Sequence, residues 1–177
     1  MVRQARTCPT AVAAGVVVLL LALAIVSGLA SAQTARIKTV EFRLVAGQSA
    51  VNGSFNFNGY AKGALAVTVP VGWKVVIHYS NGSALRHSLD VIPYAGTQPD
   101  SAPPAVFVGA STKDLVDGIG VGKEETVIFV AGKAGTYEFL CGVLGHAQAG
   151  MWDRLIVVPT AAAPSVRPVG GVIFKTH

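Results

Sequence analysis

Hydrophobic and polar residues alternate along short stretches of the chain after residue 33, which is the period of a half-buried β-strand. In VEFRL, Val40, Phe42 and Leu44 fall on one face, whereas Glu41 and Arg43 fall on the other. Similar stretches recur in LAVTVP, WKVVIHY, HSLDVIP, ETVIFV, TYEFLC and WDRLIVVP. The pattern therefore predicts about seven short strands.

Turn-forming dipeptides separate these strands. Asn52–Gly53, Asn58–Gly59 and Asn81–Gly82 are strong signals for tight turns. Helical periodicity is nearly absent, although the capping-box spacing of Ser111 and Asp114 in STKDLVDG predicts one short helical turn. Short strands with regularly spaced turns predict an all-β fold, either an antiparallel sandwich or a barrel.

Two segments depart from the strand pattern. Residues 94–122 are rich in Pro and Gly and form a long excursion between two predicted strands. Residues 160–177 are expected to be an Ala/Pro-rich tail, whose GVIFK stretch is a candidate for packing back onto the sandwich. The folded domain is therefore predicted to span residues 33–159, which is long enough for one hydrophobic core.

The N-terminal segment is apolar and follows two basic residues. Arg3 and Arg6 precede an apolar run at residues 11–30, and an ASA stretch follows, so we expect a secretory signal peptide that is cleaved after Ala32. The alternative is an uncleaved membrane anchor, because a spanning helix needs roughly 20 apolar residues. Either interpretation places residues 33–177 outside the cytoplasm: in the periplasm, secreted, or on the outer face of the cytoplasmic membrane.

Composition and charge exclude some classes of function. Of the 177 residues, only 13% are charged, and the formal net charge is +5. Arg3 and Arg6 contribute two of these charges, which leaves a mildly basic domain at +3. Because the chain has no run of Lys and Arg, we do not expect it to bind nucleic acid.

The stretch CGVLGHAQAGMW, residues 141–152, concentrates the chemistry of the chain. Cys8 lies in the N-terminal segment, so Cys141 has no partner for an internal disulfide and is buried, reactive or metal-bound. Cys141 ends one predicted strand and Met151 begins the next. The loop between them, which carries His146 and three glycines, must therefore lie at one end of the sandwich.

This loop offers a thiolate, an imidazole and a thioether. Two His and one Cys in a trigonal set, with a weak axial Met, are the signature of an electron-transfer copper site. His87 is the best second imidazole, because it opens a predicted strand at a sheet end. By contrast, His78 falls on an outward face and His177 is the last residue. Taken singly, a buried Cys and Met also suit a metal-free core.

The spacing C-x4-H-x4-M with an upstream His resembles that of the cupredoxins, the small blue copper proteins. FNFNGY, VPVGWKVVIHYSN, RHSLDV and CGVLGHAQAGMW are more specifically similar to the sulfocyanin family, over about residues 54–158. The resemblance implies a Greek-key β-sandwich with a mononuclear type 1 site, holding one copper per chain that cycles between Cu(2+) and Cu(+). By position, the implied ligands are three equatorial residues and one axial residue: His87, Cys141, His146 and, axially, Met151.

The residue after the first implied ligand departs from the usual pattern, since many cupredoxins have Asn where this chain has Ser88. We expect Ser88 and the backbone N–H groups of the glycine-bearing loop to donate hydrogen bonds to the sulfur of Cys141. Such bonds withdraw electron density from the sulfur and raise the reduction potential.

The function implied by the resemblance is transfer of single electrons between extracytoplasmic redox partners of a respiratory chain, without catalysis. Donor and acceptor proteins are expected to dock near His146, where Val143, Leu144, Ala147 and Ala149 predict an exposed apolar patch. A copper carrier or storage protein and a metal-free structural sandwich remain as alternatives. A multicopper oxidase would need many more histidines than the four in this chain.

Overall fold

Two β-sheets pack face to face in the computed structural model, which describes residues 37–159 and 163–169. The expected signal or anchor segment, Cys8, His177 and the GVIFK stretch lie outside the described residues. The described residues form a 3-10 helix and eight strands: Val51–Ser54, then β1 Thr39–Ala46, β2 Leu65–Pro70, β3 Lys74–Asn81, β4 Asp90–Pro93, β5 Glu124–Val130, β6 Gly135–Leu140, β7 Trp152–Val158 and β8 Ser165–Pro168. No helix in these ranges is long and apolar enough to cross a membrane.

The strand order confirms a Greek-key sandwich but not a purely antiparallel one. One sheet has the order β1-β3-β5, and the other has the order β4-β6-β7-β2-β8. The pairs β1–β3 and β2–β7 are parallel, so the antiparallel expectation is wrong for them. The chain passes from β1 to β2 in the opposite sheet before it returns to β3. The chain reverses its direction once between β1 and β2 and again between β2 and β3. β3 therefore runs parallel to β1.

The predicted alternation of buried and exposed positions is confirmed in most strands. In β2, for example, Leu65, Val67 and Val69 are buried. In β3 the alternation of WKVVIHY predicts that Val76 faces outward with Lys74 and His78, but this is wrong, because Val76 is buried. Its register partners on the two flanking strands are Glu41 of β1 and Ile128 of β5, whose side chains lie beside Val76 on this face. Trp73 is only half-buried, just before β3.

The excursion at residues 94–122 contains no helical turn, so the prediction from STKDLVDG is wrong. Ser111 instead forms an isolated bridge with Asp90 at the start of β4. The Asp114 carboxylate accepts a hydrogen bond from the Asp117 backbone N–H at 2.9 Å. Short polar side chains offer the backbone such local alternatives to a helix, and here the bridge to β4 holds the chain extended.

The same excursion contributes to the hydrophobic core. Phe107 stacks on Phe129 with ring centroids 5.5 Å apart, and it also contacts Tyr137 at 4.9 Å. Gly109 lies so close to β5 that a Cβ atom there would be 2.5 Å from the carbonyl oxygen of Ile128. The contacts of Phe107 and Gly109 therefore fix the excursion to the sandwich.

The segment expected to be a tail contains a strand. Residues 165–168 form β8, which pairs antiparallel with β2 so that Val166 lies opposite Val67. β8 has only four residues, which include Arg167 and Pro168. This stretch is too short for an alternation of hydrophobic and polar residues to be recognised in the sequence.

The packing of Phe107 predicts the stability of the excursion. Phe107→Ala should lower the free energy of unfolding by about 3 kcal/mol, because it leaves a cavity between Phe129 and Tyr137. Val108→Ala is the matched control, since the neighbouring Val108 side chain is 98% exposed and its loss should change stability by less than about 0.5 kcal/mol. Denaturant unfolding measures both, and equal effects would contradict the assignment of Phe107 to the core.

Candidate metal centre

Three metal-ligating atoms converge at one end of the sandwich. The Nδ1 atoms of His87 and His146 are 3.3 Å apart. The Cys141 sulfur lies 3.4 Å from Nδ1 of His146 and 3.9 Å from Nδ1 of His87. Three of the four side chains that the sequence singled out are therefore brought together by the fold, as a group with the spacing of metal ligands.

These separations fit three ligands around one ion. Metal–nitrogen bonds of about 2.0 Å and metal–sulfur bonds of about 2.3 Å place neighbouring ligand atoms about 3.3–3.7 Å apart in trigonal or tetrahedral sites. The observed distances between 3.3 and 3.9 Å bracket this range. The donor set also fits copper, because a thiolate and two imidazoles next to a methionine form the arrangement of a type 1 site.

Strand pairing sets the positions of Cys141, Met151 and His87. Cys141 follows β6 directly and Met151 precedes β7, and these two strands are antiparallel neighbours. The Cys141 backbone N–H donates to the Met151 carbonyl at 3.1 Å, so the two residues lie side by side, and both are buried. His87 precedes β4, which pairs with β6 from the other side.

A short network of backbone hydrogen bonds shapes the loop that carries His146. The His146 N–H donates to the Val143 carbonyl, and the Met151 N–H donates to the His146 carbonyl, each at 3.0 Å. Gly150 adopts φ +103°, which side chains rarely tolerate, and a Cβ atom there would come within 2.6 Å of the Lys62 side chain. The glycine is therefore required for the loop to return to β7.

A serine that sequence reasoning missed orients His87. The hydroxyl of Ser83 lies 2.9 Å from Nε2 of His87. When Nε2–H donates to this hydroxyl, Nδ1 carries the lone pair and faces the centre. Gly47 makes room for the contact, since a Cβ atom there would lie 2.4 Å from Cβ of Ser83. No sequence signal connects these residues, because Gly47 follows β1 and Ser83 follows β3.

Hydrogen bonds to the sulfur confirm the expectation for Ser88. Its backbone N–H donates to the Cys141 sulfur at 3.3 Å. The Ser88 hydroxyl donates to the Leu115 carbonyl at 2.8 Å and accepts from the Gly142 N–H at 2.9 Å. Since the hydroxyl has only one hydrogen, the backbone N–H is the donor to sulfur, and the hydroxyl instead ties the excursion to the loop of Cys141.

Burial keeps the three ligand groups neutral when no metal is bound. Burial raises the pKa of the Cys141 thiol, although hydrogen bonds from Ser88 and Val143 act in the opposite direction. Burial, with a smaller effect of the neighbouring His146, lowers the pKa of His87 to about 4. Burial also lowers the pKa of His146. A metal ion therefore finds imidazole lone pairs ready and must displace only the thiol proton.

His146 is the only partly exposed member of the converging trio. Leu144 beside it is 73% exposed, and Ala149 is exposed, in agreement with the predicted apolar patch. The prediction is wrong for Ala147, which is buried because it packs against Leu140 and Ile92 on the outer face of the larger sheet.

His78 lies away from the centre. Its ring lies on β3, and Nε2 is 3.4 Å from a carboxylate oxygen of Glu41 on β1. Its side chain is 43% exposed, as expected from its outward position in the sequence pattern.

Comparisons with known proteins give a consistent result. A family model described as the Sulfocyanin (SoxE) domain matches residues 29–166. Sulfocyanin of Sulfolobus acidocaldarius is 33% identical over 136 residues, which cover 72% of this chain and 67% of that protein. A rusticyanin variant shares the fold with a TM-score of 0.52 at 22% identity, over 68% of this chain and 78% of that one. A blue copper oxidase of Nitrosomonas europaea gives 0.52 at 25% identity, over 71% and 41%.

The pKa of His87 predicts how acid affects the metal-free protein. An unfolded imidazole titrates near 6.5, whereas the folded His87 titrates at about 4. The unfolded chain therefore binds a proton in this window that the folded chain does not, and His87 reduces stability as the pH falls from 6.5 to 4.

The measurement is denaturant unfolding of the metal-free wild type and His87→Gln at pH 4 to 7. The stability of the wild type relative to the variant should fall by up to about 3 kcal/mol on acidification. Stability is compared between the two proteins because two buried carboxyls also titrate in this range. Burial raises the pKa of Asp90 to about 6 and of Asp153 to about 7, so both carboxyls increase the stability of either protein on acidification. A stability difference between wild type and His87→Gln that stays constant with pH would contradict the lowered pKa of His87.

Proposed function

We propose that this chain, which belongs to the sulfocyanin family of blue copper proteins, carries single electrons between extracytoplasmic redox partners of a respiratory chain. The proposed ligands are His87, Cys141, His146 and Met151. Bound copper supplies the one-electron change between Cu(2+) and Cu(+), with one ion per chain. The observation that carries the proposal is the set of three ligand atoms 3.3–3.9 Å apart inside the protein.

The surroundings of Cys141 suit an electron carrier of raised potential. The Ser88 N–H bond removes electron density from the sulfur. Cys141 and Met151 are both buried, which keeps water away from the site. A dry shell and hydrogen bonds to sulfur both disfavour the more highly charged oxidised state, and they therefore raise the potential.

The ligands are held by bonds that do not depend on the metal. Ser83 fixes His87, Met151 accepts a hydrogen bond from the backbone of Cys141, and the turn network fixes His146. Such a scaffold limits the rearrangement of ligands between the two oxidation states. Limited rearrangement keeps the barrier to electron transfer low.

We place the contact with donor and acceptor at His146. It is the partly exposed ligand, so electrons have their shortest path to a partner through its imidazole. The exposed Leu144 and Ala149 beside it give a small apolar contact surface. Small surfaces of this kind suit the transient encounters of redox proteins.

The alternative functions fit the site less well. A copper carrier must release its ion to another protein, but the Cys141 side chain is only 1% exposed and Met151 is fully buried. An enzyme acting on a small molecule at copper needs an open coordination position, and the proposed ligand set assigns that position to Met151. A metal-free core would bring hydrocarbon together at this point, whereas here two imidazole nitrogens face a thiol.

The extracytoplasmic location is supported by the predicted segment at residues 1–32, either as a cleaved signal peptide or as an anchor through residues 11–30. N-terminal sequencing of the exported protein distinguishes cleavage after Ala32 from retention of the segment.

Titration with Cu(II), followed by visible absorption, tests the proposed ligation. The wild type should develop an intense band that saturates at one copper per chain, because thiolate-to-copper charge transfer absorbs strongly. Cys141→Ser should lack the band, since it removes the thiolate. His78→Ala is the matched control and should keep the band. Weak absorption that is the same in the wild type and Cys141→Ser would refute thiolate ligation.

A second substitution tests the axial role of Met151. Met151→Leu preserves the buried volume, so the protein should keep its copper and its colour. The reduction potential should rise, because the oxidised ion loses a weak axial donor and gains an apolar neighbour. Potentiometric titration of both proteins measures the shift. A colourless variant that fails to hold Cu(II) would show that Met151 is more than a weak axial ligand.

A further inference from the structure

Asn52 connects the loop between His146 and Met151 to a segment far away in the sequence. Its side-chain amide nitrogen donates one hydrogen bond to the Ala149 carbonyl at 2.8 Å and another to the Phe55 carbonyl at 2.9 Å. The Asn52 amide also lies close to Gly150, since a Cβ atom at Gly150 would be 3.1 Å from this nitrogen. One side chain therefore joins the two segments.

The backbone of Asn52 is suited to this contact. Asn52 and Gly53 adopt left-handed conformations with φ values of 51° and 65° inside the 3-10 helix Val51–Ser54. Asn and Gly are the residues that adopt this conformation most readily. The dipeptide that predicted a turn in the sequence therefore also presents the Asn52 amide to the loop of His146.

Phe55, the other residue bonded to Asn52, packs against both imidazoles. Its ring centroid lies 4.7 Å from that of His146 and 6.3 Å from that of His87, in edge-on orientations. Asn56 holds the adjacent backbone, since its fully buried amide bonds to the carbonyls of Ser49 and Val51. The Phe55 ring therefore rests on a fixed support beside the candidate metal centre.

We propose that Asn52 is a positioning residue of the copper centre. Its two hydrogen bonds hold the Ala149 carbonyl next to Phe55, so that the Phe55 ring shields His146 and the loop from His146 to Met151 cannot move outward. This clamp excludes water from the imidazole edge and slows release of the metal. The inference rests on the proposed function, because it requires copper at the four proposed ligands.

Asn58 provides a matched control within the same segment. It also has a left-handed backbone, with φ 52°. Its side chain also makes two backbone hydrogen bonds, accepting from the Val45 N–H at 2.7 Å and donating to the Arg43 carbonyl at 3.0 Å. These bonds are to β1 and not to the loop of His146. Loss of the Asn58 side chain should therefore affect stability without affecting the copper centre.

The experiment compares the wild type, Asn52→Gly and Asn58→Gly after loading with Cu(II). Glycine keeps the left-handed backbone, so each variant removes two side-chain hydrogen bonds. In Asn52→Gly, copper release to a chelator should be faster by on the order of 10-fold, as for other residues that support metal ligands. Its reduction potential should fall, because water near His146 favours the oxidised ion. Asn58→Gly should match the wild type in both measurements, although both variants lower the thermal midpoint.

Asn52→Asp serves as a second variant. It keeps the shape and tolerates the left-handed backbone, but it presents oxygen atoms to two carbonyls and cannot donate, so it should reproduce the effects of Asn52→Gly. The inference is wrong if Asn52→Gly and Asn52→Asp release copper as slowly as Asn58→Gly does and have the same reduction potential as Asn58→Gly. A wild type that develops no thiolate–copper band overturns the proposed function itself, and this outcome is visible before any variant is compared.

Discussion

The pairing of β6 with β7 and β4 is the constraint on which the candidate metal centre depends. Cys141 leaves β6 at the same sheet end where Met151 enters β7, and the hydrogen bond from the Cys141 N–H to the Met151 carbonyl joins them. β4 flanks β6 on its other side and brings His87 to that end. A one-residue slip of this register would turn Cys141 away from the core.

Loops from distant parts of the chain then complete the centre. Ser83 orients His87, Ser88 donates to the sulfur of Cys141, and Phe55 packs against both imidazoles. Each of these contacts either keeps water away from a ligand side chain or fixes the orientation of that side chain. The ligand groups are neutral in the metal-free protein, so the interior does not have to accommodate a charge before the ion arrives.

Most of the fold and the proposed ligands could be predicted from the sequence, because both depend on short-range patterns. Alternation located the strands, and the spacing of Cys141, His146 and Met151 identified the loop. The parallel pairs, β8 and the roles of Ser83 and Asn52 could not be predicted. These features depend on contacts between residues far apart in the chain, such as Asn52 with Ala149, 97 positions away.

X-ray absorption at the copper edge of the loaded protein measures whether the Cys141 sulfur and two imidazole nitrogens bind one copper ion. We expect one short copper–sulfur distance and two copper–nitrogen distances, with the sulfur distance lost in Cys141→Ser. Copper surrounded by nitrogen and oxygen alone in the wild type would contradict ligation by Cys141.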